Sequence, residues 1–120
     1  MKKILIVEDE QDMTQLVEKK LRNSGFEVIS AASGKEAVLK FQEQRPDLVL
    51  MDVVLPDCDG FEICRRIKRE FNSDVKILVY TGKLAAVDAR TARTSGADEL
   101  VVKTDDLKTV VDTIRQLLSD

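Results

Sequence analysis

Five polar side chains of this sequence stand where short apolar runs end, and together they could perform phosphoryl chemistry. Glu8 and Asp9 follow Ile4-Leu5-Ile6-Val7, and Asp52 follows Leu48-Val49-Leu50-Met51. Thr81 follows Ile77-Leu78-Val79-Tyr80, and Lys103 follows Leu100-Val101-Val102. In open α/β sheets, ligands bind outside the carboxyl ends of the strands. If these runs are strands of one sheet, three carboxylates, a hydroxyl and an ammonium meet on one rim. Three close anions repel, and without compensation at least one is driven towards protonation. A hard divalent cation relieves that repulsion. Magnesium suits the task, because it takes one or two carboxylates and completes its shell with water and phosphate oxygens. Phosphoryl transfer uses the same parts: a carboxylate nucleophile, a cation against the transferring charge, and a lysine and a hydroxyl for the remaining oxygens.

Each residue alone has a plainer use. Acids at strand ends often only open solvated loops, Asp52 could cap a turn, Thr81 before Gly82 could be a turn residue, and Lys103 could be a surface lysine. The joint placement is what points to chemistry. Ser33-Gly34-Lys35 lacks the upstream glycine of a phosphate loop and reads as a helix cap. The chain has no histidine, which removes Ser-His-Asp and Cys-His catalysis and any phosphohistidine of its own. Cys58 and Cys64 are six apart, without the spacing or the histidine of a zinc site, and read as two ordinary thiols.

The elements that must position these residues alternate along the chain. The four apolar runs are nearly continuous, as strands covered on both faces are. Glu27-Val28-Ile29-Ser30 is a weaker strand, expected near an edge. Between the strands, Met13, Leu16, Val17 and Leu21 share a helix face that Gly25 ends, and Ser33 with Glu36 fits a capping box. Ala37, Val38 and Phe41 continue that second helix up to Pro46. Phe61, Cys64, Ile67 and Phe71 form a third stripe, an Ala-rich segment from Ala85 to near Gly96 a fourth, and Leu107 to Leu118 the last. Right-handed crossovers make five such units a doubly wound α/β fold: a five-stranded parallel sheet with five helices on its two faces.

Composition bounds the rest. At 120 residues there is room for one domain, and 43% hydrophobic with 34% charged residues fits a globular chain rather than a disordered one. A net charge of −3 does not suggest a nucleic-acid or membrane surface, and no apolar run approaches the roughly 18 residues of a membrane span. Glu8, Asp9 and Glu10 cut the N-terminal apolar stretch far short of a signal peptide, so a cytoplasmic location is expected.

Taken together, Ile4 to Glu10, the run Met51-Asp52-Val53-Val54-Leu55-Pro56-Asp57-Cys58-Asp59-Gly60, Thr81-Gly82, Gly96-Ala97-Asp98-Glu99 and Lys103 resemble a response-regulator receiver domain of two-component signalling, over residues 1–120. The resemblance implies a flavodoxin-like strand order 2-1-3-4-5. It implies that Asp52 accepts a phosphoryl group from a sensor histidine kinase or phosphotransfer protein. Asp9, Asp52 and the Val54 carbonyl would ligate Mg2+, with Glu8 acting through water. Thr81 would bond a phosphoryl oxygen and move inward, and Lys103 would pair with the phosphoryl group. The altered surface would signal to an output protein or domain. Such a chain is a switch, not a turnover enzyme, although it catalyses its own magnesium-dependent phosphorylation and dephosphorylation.

Two positions depart from the family pattern. Leu100 stands where an aromatic switch residue is usual, and Tyr80, beside Thr81, should point elsewhere because strand side chains alternate. Thr104 stands where proline follows the lysine, so either a trans bond with a reshaped loop or a cis bond held by strong local contacts is expected there. These departures leave a second reading, a degenerate receiver that binds partners constitutively. A third, a phosphatase working through an aspartyl-phosphate, lacks the second acid two residues after Asp52, where Val54 stands.

Overall fold

Alternation decides which way each apolar run of this chain faces. The computed structural model describes residues 1–71, 74–82, 94–103 and 107–119. Its strands are β1 (Lys3–Val7), β2 (Glu27–Ala31), β3 (Leu48–Met51), β4 (Lys76–Thr81) and β5 (Glu99–Val102). Its helices are α1 (Gln11–Asn23), α2 (Gly34–Gln44), α3 (Gly60–Glu70) and α4 (Lys108–Leu118). All strand pairs are parallel, in the order β2-β1-β3-β4-β5. Successive strand side chains point to opposite faces. Leu5, Val7, Val49, Met51, Ile77 and Val79 therefore pack on Ala37, Val38 and Phe41 of α2 and on Ile63, Cys64 and Ile67 of α3. Ile4, Ile6, Leu48, Leu50, Leu78 and Tyr80 pack on Val17 and Leu21 of α1 and on Val110, Val111 and Ile114 of α4. Covering both faces is why the runs are apolar throughout, and the weaker β2 lies at an edge as expected.

Four of the five expected helices lie among the described residues. The segment from Ala85 falls on residues 83–93, and the Lys103–Thr104 bond reaches residue 104; both lie outside them. Leu16 departs from its expected place and is 55% exposed. Residues four apart on a helix drift about 40° around it, so Met13, Val17 and Leu21 carry the buried stripe away from Leu16. The second helix is capped as read: Ser33 Oγ accepts the Glu36 N–H at 3.2 Å, while the Glu36 carboxylate reaches one residue further back, to the Ala32 N–H at 3.3 Å.

Because every strand is parallel, β1, β3, β4 and β5 all finish on one edge of the sheet. That edge carries the five residues singled out by the sequence.

Candidate functional site

Backbone pairing fixes each of these residues before any side chain acts. The Glu8 N–H donates to the Ala31 carbonyl at 3.0 Å, extending β1 along β2, and the Asp52 N–H donates to Val7 at 3.0 Å. The Lys103 N–H donates to the Thr81 carbonyl at 2.8 Å, which sets the last two site residues side by side. After Asp52 the chain turns back through a bridge between Val54 and Asp59 and starts α3 at Gly60, whose N–H donates to Val53 at 2.8 Å. A Cβ on Gly60 would lie 2.4 Å from the Asp52 carbonyl oxygen, so the turn closes against the backbone of the acceptor residue itself.

The side chains then form one network. Lys103 Nζ donates to Glu8 Oε2 at 2.6 Å and to Asp52 Oδ2 at 2.9 Å. Asp52 Oδ1 accepts the Val54 N–H at 3.1 Å, and Glu8 Oε1 accepts the Glu10 N–H at 3.1 Å. The Tyr80 hydroxyl donates to Glu8 Oε2 at 2.9 Å. Glu8, Asp52 and Thr81 are all buried, Glu8 to 1% exposure. Burial raises the Glu8 pKa above its usual 4.5, against the lowering effect of its bonds to Lys103 and the Glu10 amide. Burial also works against the Lys103 ammonium, yet its bonds to the two carboxylates outweigh this and raise its pKa above 10.5. Lys103 is thus a charged counter-ion held between two acids. Burial, and then the Glu8 charge, raise the Tyr80 phenol well above 10, which keeps it a donor.

Glu8, Asp9 and Asp52 each offer one carboxylate oxygen, all within 4.8 Å of one another. An all-oxygen donor set of this size fits a hard divalent cation. A cavity of about 350 Å³ opens on it, lined by Asp9, Glu10, Asp52, Val54, Thr81, Gly82 and Lys103. Glu8 does not line that cavity but lies behind it. Val54 is 42% exposed at the mouth. All the residues named from the sequence therefore meet at one place. Tyr80 was missed: it does point to the face opposite Val79, as alternation along β4 requires, but its ring is long enough to bring its hydroxyl to Glu8. A buried phenol needs a partner for its O–H, and that requirement beside an unusually long acid was the available signal.

Two acids of the Asp57-Cys58-Asp59 loop have local structural uses. Asp57 accepts the Gly34 and Lys35 N–H groups at 2.8 and 3.1 Å and so caps α2, and those bonds lower its pKa. Asp59 caps α3 through the Phe61 N–H at 2.9 Å. Neither cysteine is disulfide-bonded. Burial, with the nearby acids, pushes the Cys58 thiol from 9.0 up to about 11, and burial pushes Cys64 to about 12. Two pKa units cut the thiolate about a hundredfold. Iodoacetamide at pH 8 is accordingly expected to label native Cys58 about a hundredfold more slowly than the same residue in the denatured chain; equal rates by mass spectrometry would contradict the half-buried, acid-flanked thiol.

Leu100 is half-buried against the α2–α3 side of the sheet. No aromatic ring occupies that position.

Comparison with known proteins gives a consistent result. Residues 4–115 match the response regulator receiver domain family. The chain is 39% identical over 117 residues to a probable transcriptional regulator, ycf27, of Cyanophora paradoxa, covering 98% of this chain and 48% of that protein. It therefore spans about half the length of the curated relatives it matches. Among solved structures it is similar to the response regulator TrrA of Thermotoga maritima in complex with Mg2+-BeF, with a TM-score of 0.91, 31% identity, and 98% and 100% of the two chains covered. TrrA in complex with the histidine kinase ThkA is similar at a TM-score of 0.89 and 32% identity, over 99% and 100% of the chains.

Proposed function

This chain belongs to the response regulator receiver domain family, and on that premise we propose that it is a phosphorylation-controlled signalling switch in which Asp52 accepts a phosphoryl group from a partner histidine kinase. The observation that carries the reading is the single Lys103 ammonium held between buried Glu8 and Asp52 at the mouth of an acidic cavity. Such a cation is poised to follow negative charge as it arrives on Asp52.

In the transfer, an Asp52 carboxylate oxygen attacks phosphorus and forms the new P–O bond. The P–N bond of the donor phosphohistidine breaks, and its electron pair returns to the imidazole. Lys103 turns from the carboxylates to a phosphoryl oxygen, and the Thr81 hydroxyl bonds another. Asp9, Asp52 and the Val54 carbonyl would hold Mg2+, with Glu8 acting through water; the ion supplies neutralising charge for the transferring group. Loss of the group to water uses the same residues.

The kinase partner is supported by the likeness to TrrA, which is seen with its kinase ThkA. Relatives about twice as long are transcriptional regulators, which supports an output protein or domain as the recipient of the signal. Among the described residues no helix is long and apolar enough to cross a membrane. Cytoplasmic action is the location that suits a kinase-fed switch.

Intact-mass spectrometry after incubation with acetyl phosphate tests the reading. Wild type is expected to gain one phosphoryl group only when magnesium is present, and Asp52→Ala is expected to gain none. No gain in wild type, with a donor that labels another receiver, would leave constitutive binding as the better account.

A further inference from the structure

Tyr80 is the single tyrosine of the chain, and nothing in the phosphoryl chemistry above calls for it. It is fully buried, and its hydroxyl donates to Glu8 Oε2 at 2.9 Å. That same oxygen receives the Lys103 ammonium at 2.6 Å, and Lys103 Nζ lies 4.9 Å from the centre of the Tyr80 ring. Tyr80 therefore touches both the cation that must move and the carboxylate it must leave.

We propose that Tyr80 is a positioning residue of the acceptor site: its hydroxyl keeps the buried Glu8 carboxylate satisfied while Lys103 transfers to the phosphoryl group, and so sets how readily the lysine is released. The proposal rests on the reading of Asp52 as phosphoacceptor. A buried carboxylate oxygen stripped of its only donor carries a large desolvation penalty. With Tyr80 in place, Oε2 retains a donor when Lys103 departs, and Oε1 keeps the Glu10 N–H. Without that hydroxyl, Lys103 becomes the sole donor to Oε2 among the described residues and is held back from the incoming group. Side-chain length matters here: aspartate at position 8 is one methylene shorter and withdraws the carboxylate from the phenol. Glu8 and Tyr80 thus work as a pair, a longer acid matched to a buried hydroxyl.

The test is a double-mutant cycle on phosphoryl uptake from acetyl phosphate with magnesium, with unfolding midpoints measured on the same proteins. Tyr80→Phe is expected to slow uptake about tenfold, the size of one lost bond to a charged group. In a Glu8→Asp background the same substitution is expected to change uptake little. Equal slowing in both backgrounds, or none in the first, overturns the proposal and leaves Tyr80 a packing residue. Failure of wild type itself to take up a phosphoryl group is a separate result, which removes the acceptor reading and this proposal with it.

A second readout needs no variant of Tyr80. The chain has one tyrosine and no tryptophan, so its ultraviolet emission on excitation beyond the phenylalanine band comes from Tyr80. Magnesium with beryllium fluoride, a phosphoryl mimic, is expected to change that emission as Lys103 leaves the ring and the shared oxygen, and to leave Asp52→Ala unchanged. Emission that stays constant in a wild type shown to take up a phosphoryl group would mean that Lys103 never leaves Tyr80, and the proposal falls.

Discussion

Lys103→Ala is expected to lower the stability of the magnesium-free protein by about 3 kcal/mol at neutral pH, roughly 10 °C in Tm for a domain of this size. Lys103 is the ammonium bonded to both Glu8 and Asp52, whose side chains are 0% and 7% exposed. Removing one partner of a buried ion pair leaves the other charge uncompensated, which costs far more than the intact pair contributes. Here two acids are left, close enough to repel. The open cavity beside Asp52 admits water and keeps the loss at the lower end of the usual range. Adding Glu8→Gln to Lys103→Ala is expected to recover more than half of it, because the amide oxygen still accepts the Tyr80 hydroxyl without a buried charge. Millimolar magnesium should also recover part, by mass action on the same carboxylates. Urea unfolding of the variants with and without magnesium measures all of this. A loss below about 1 kcal/mol would mean that the two acids are already well solvated. Phosphoryl uptake should fall in every Lys103→Ala protein, whatever its stability, because the cation that follows the charge is gone.

The sequence made the strand ends legible because a parallel sheet buried on both faces needs unbroken apolar runs, and polar residues can only begin where burial stops. Glu8, Asp52 and Lys103 each stand immediately after such a run, and the fold brings them within hydrogen-bonding reach. Thr81 was placed for the same reason, although β4 extends through it. Side-chain reach was less legible. Alternation placed Tyr80 on the face away from Val79, which is correct, but a face says nothing of how far a six-membered ring and its oxygen extend along it. Leu16 illustrates a similar gap: a helical stripe read by spacing alone does not say where its centre falls, and Met13, Val17 and Leu21 took the core. The acids at positions 57 and 59 stand close to Asp52 in the sequence, yet their bonds go to the amides that open α2 and α3. Caps and ligands use the same carboxylates, and only geometry separates them.

Gly60→Ala is expected to cost function although Gly60 is not among the residues that line the acidic cavity. A Cβ at this position would lie 2.4 Å from the Asp52 carbonyl oxygen and 2.7 Å from the Val53 Cα. Both are backbone atoms, so no side chain can swing aside to make room, and the turn between β3 and α3 must move. Overpacking of this kind costs about 2–3 kcal/mol. The larger consequence falls on the chemistry. The Gly60 N–H is bonded to Val53, and Val54 holds Asp52 Oδ1, so pushing Gly60 outward shifts the acceptor carboxylate against Lys103 and Asp9. A displacement of about 1 Å at a reacting group lowers rates roughly a hundredfold. Phosphoryl uptake should therefore fall by about that factor even at a temperature where the variant is fully folded. Gly25→Ala is the control: Gly25 has a φ of +95° but nothing within 4 Å of a Cβ, so it carries only local backbone strain of about 1–2 kcal/mol. If the two variants lose stability alike and both keep wild-type uptake, the closeness of Gly60 to Asp52 is only a packing detail. If Gly60→Ala alone loses uptake, the glycine belongs to the site as surely as the acids do, by letting the α3 turn close against the residue that takes the phosphoryl group.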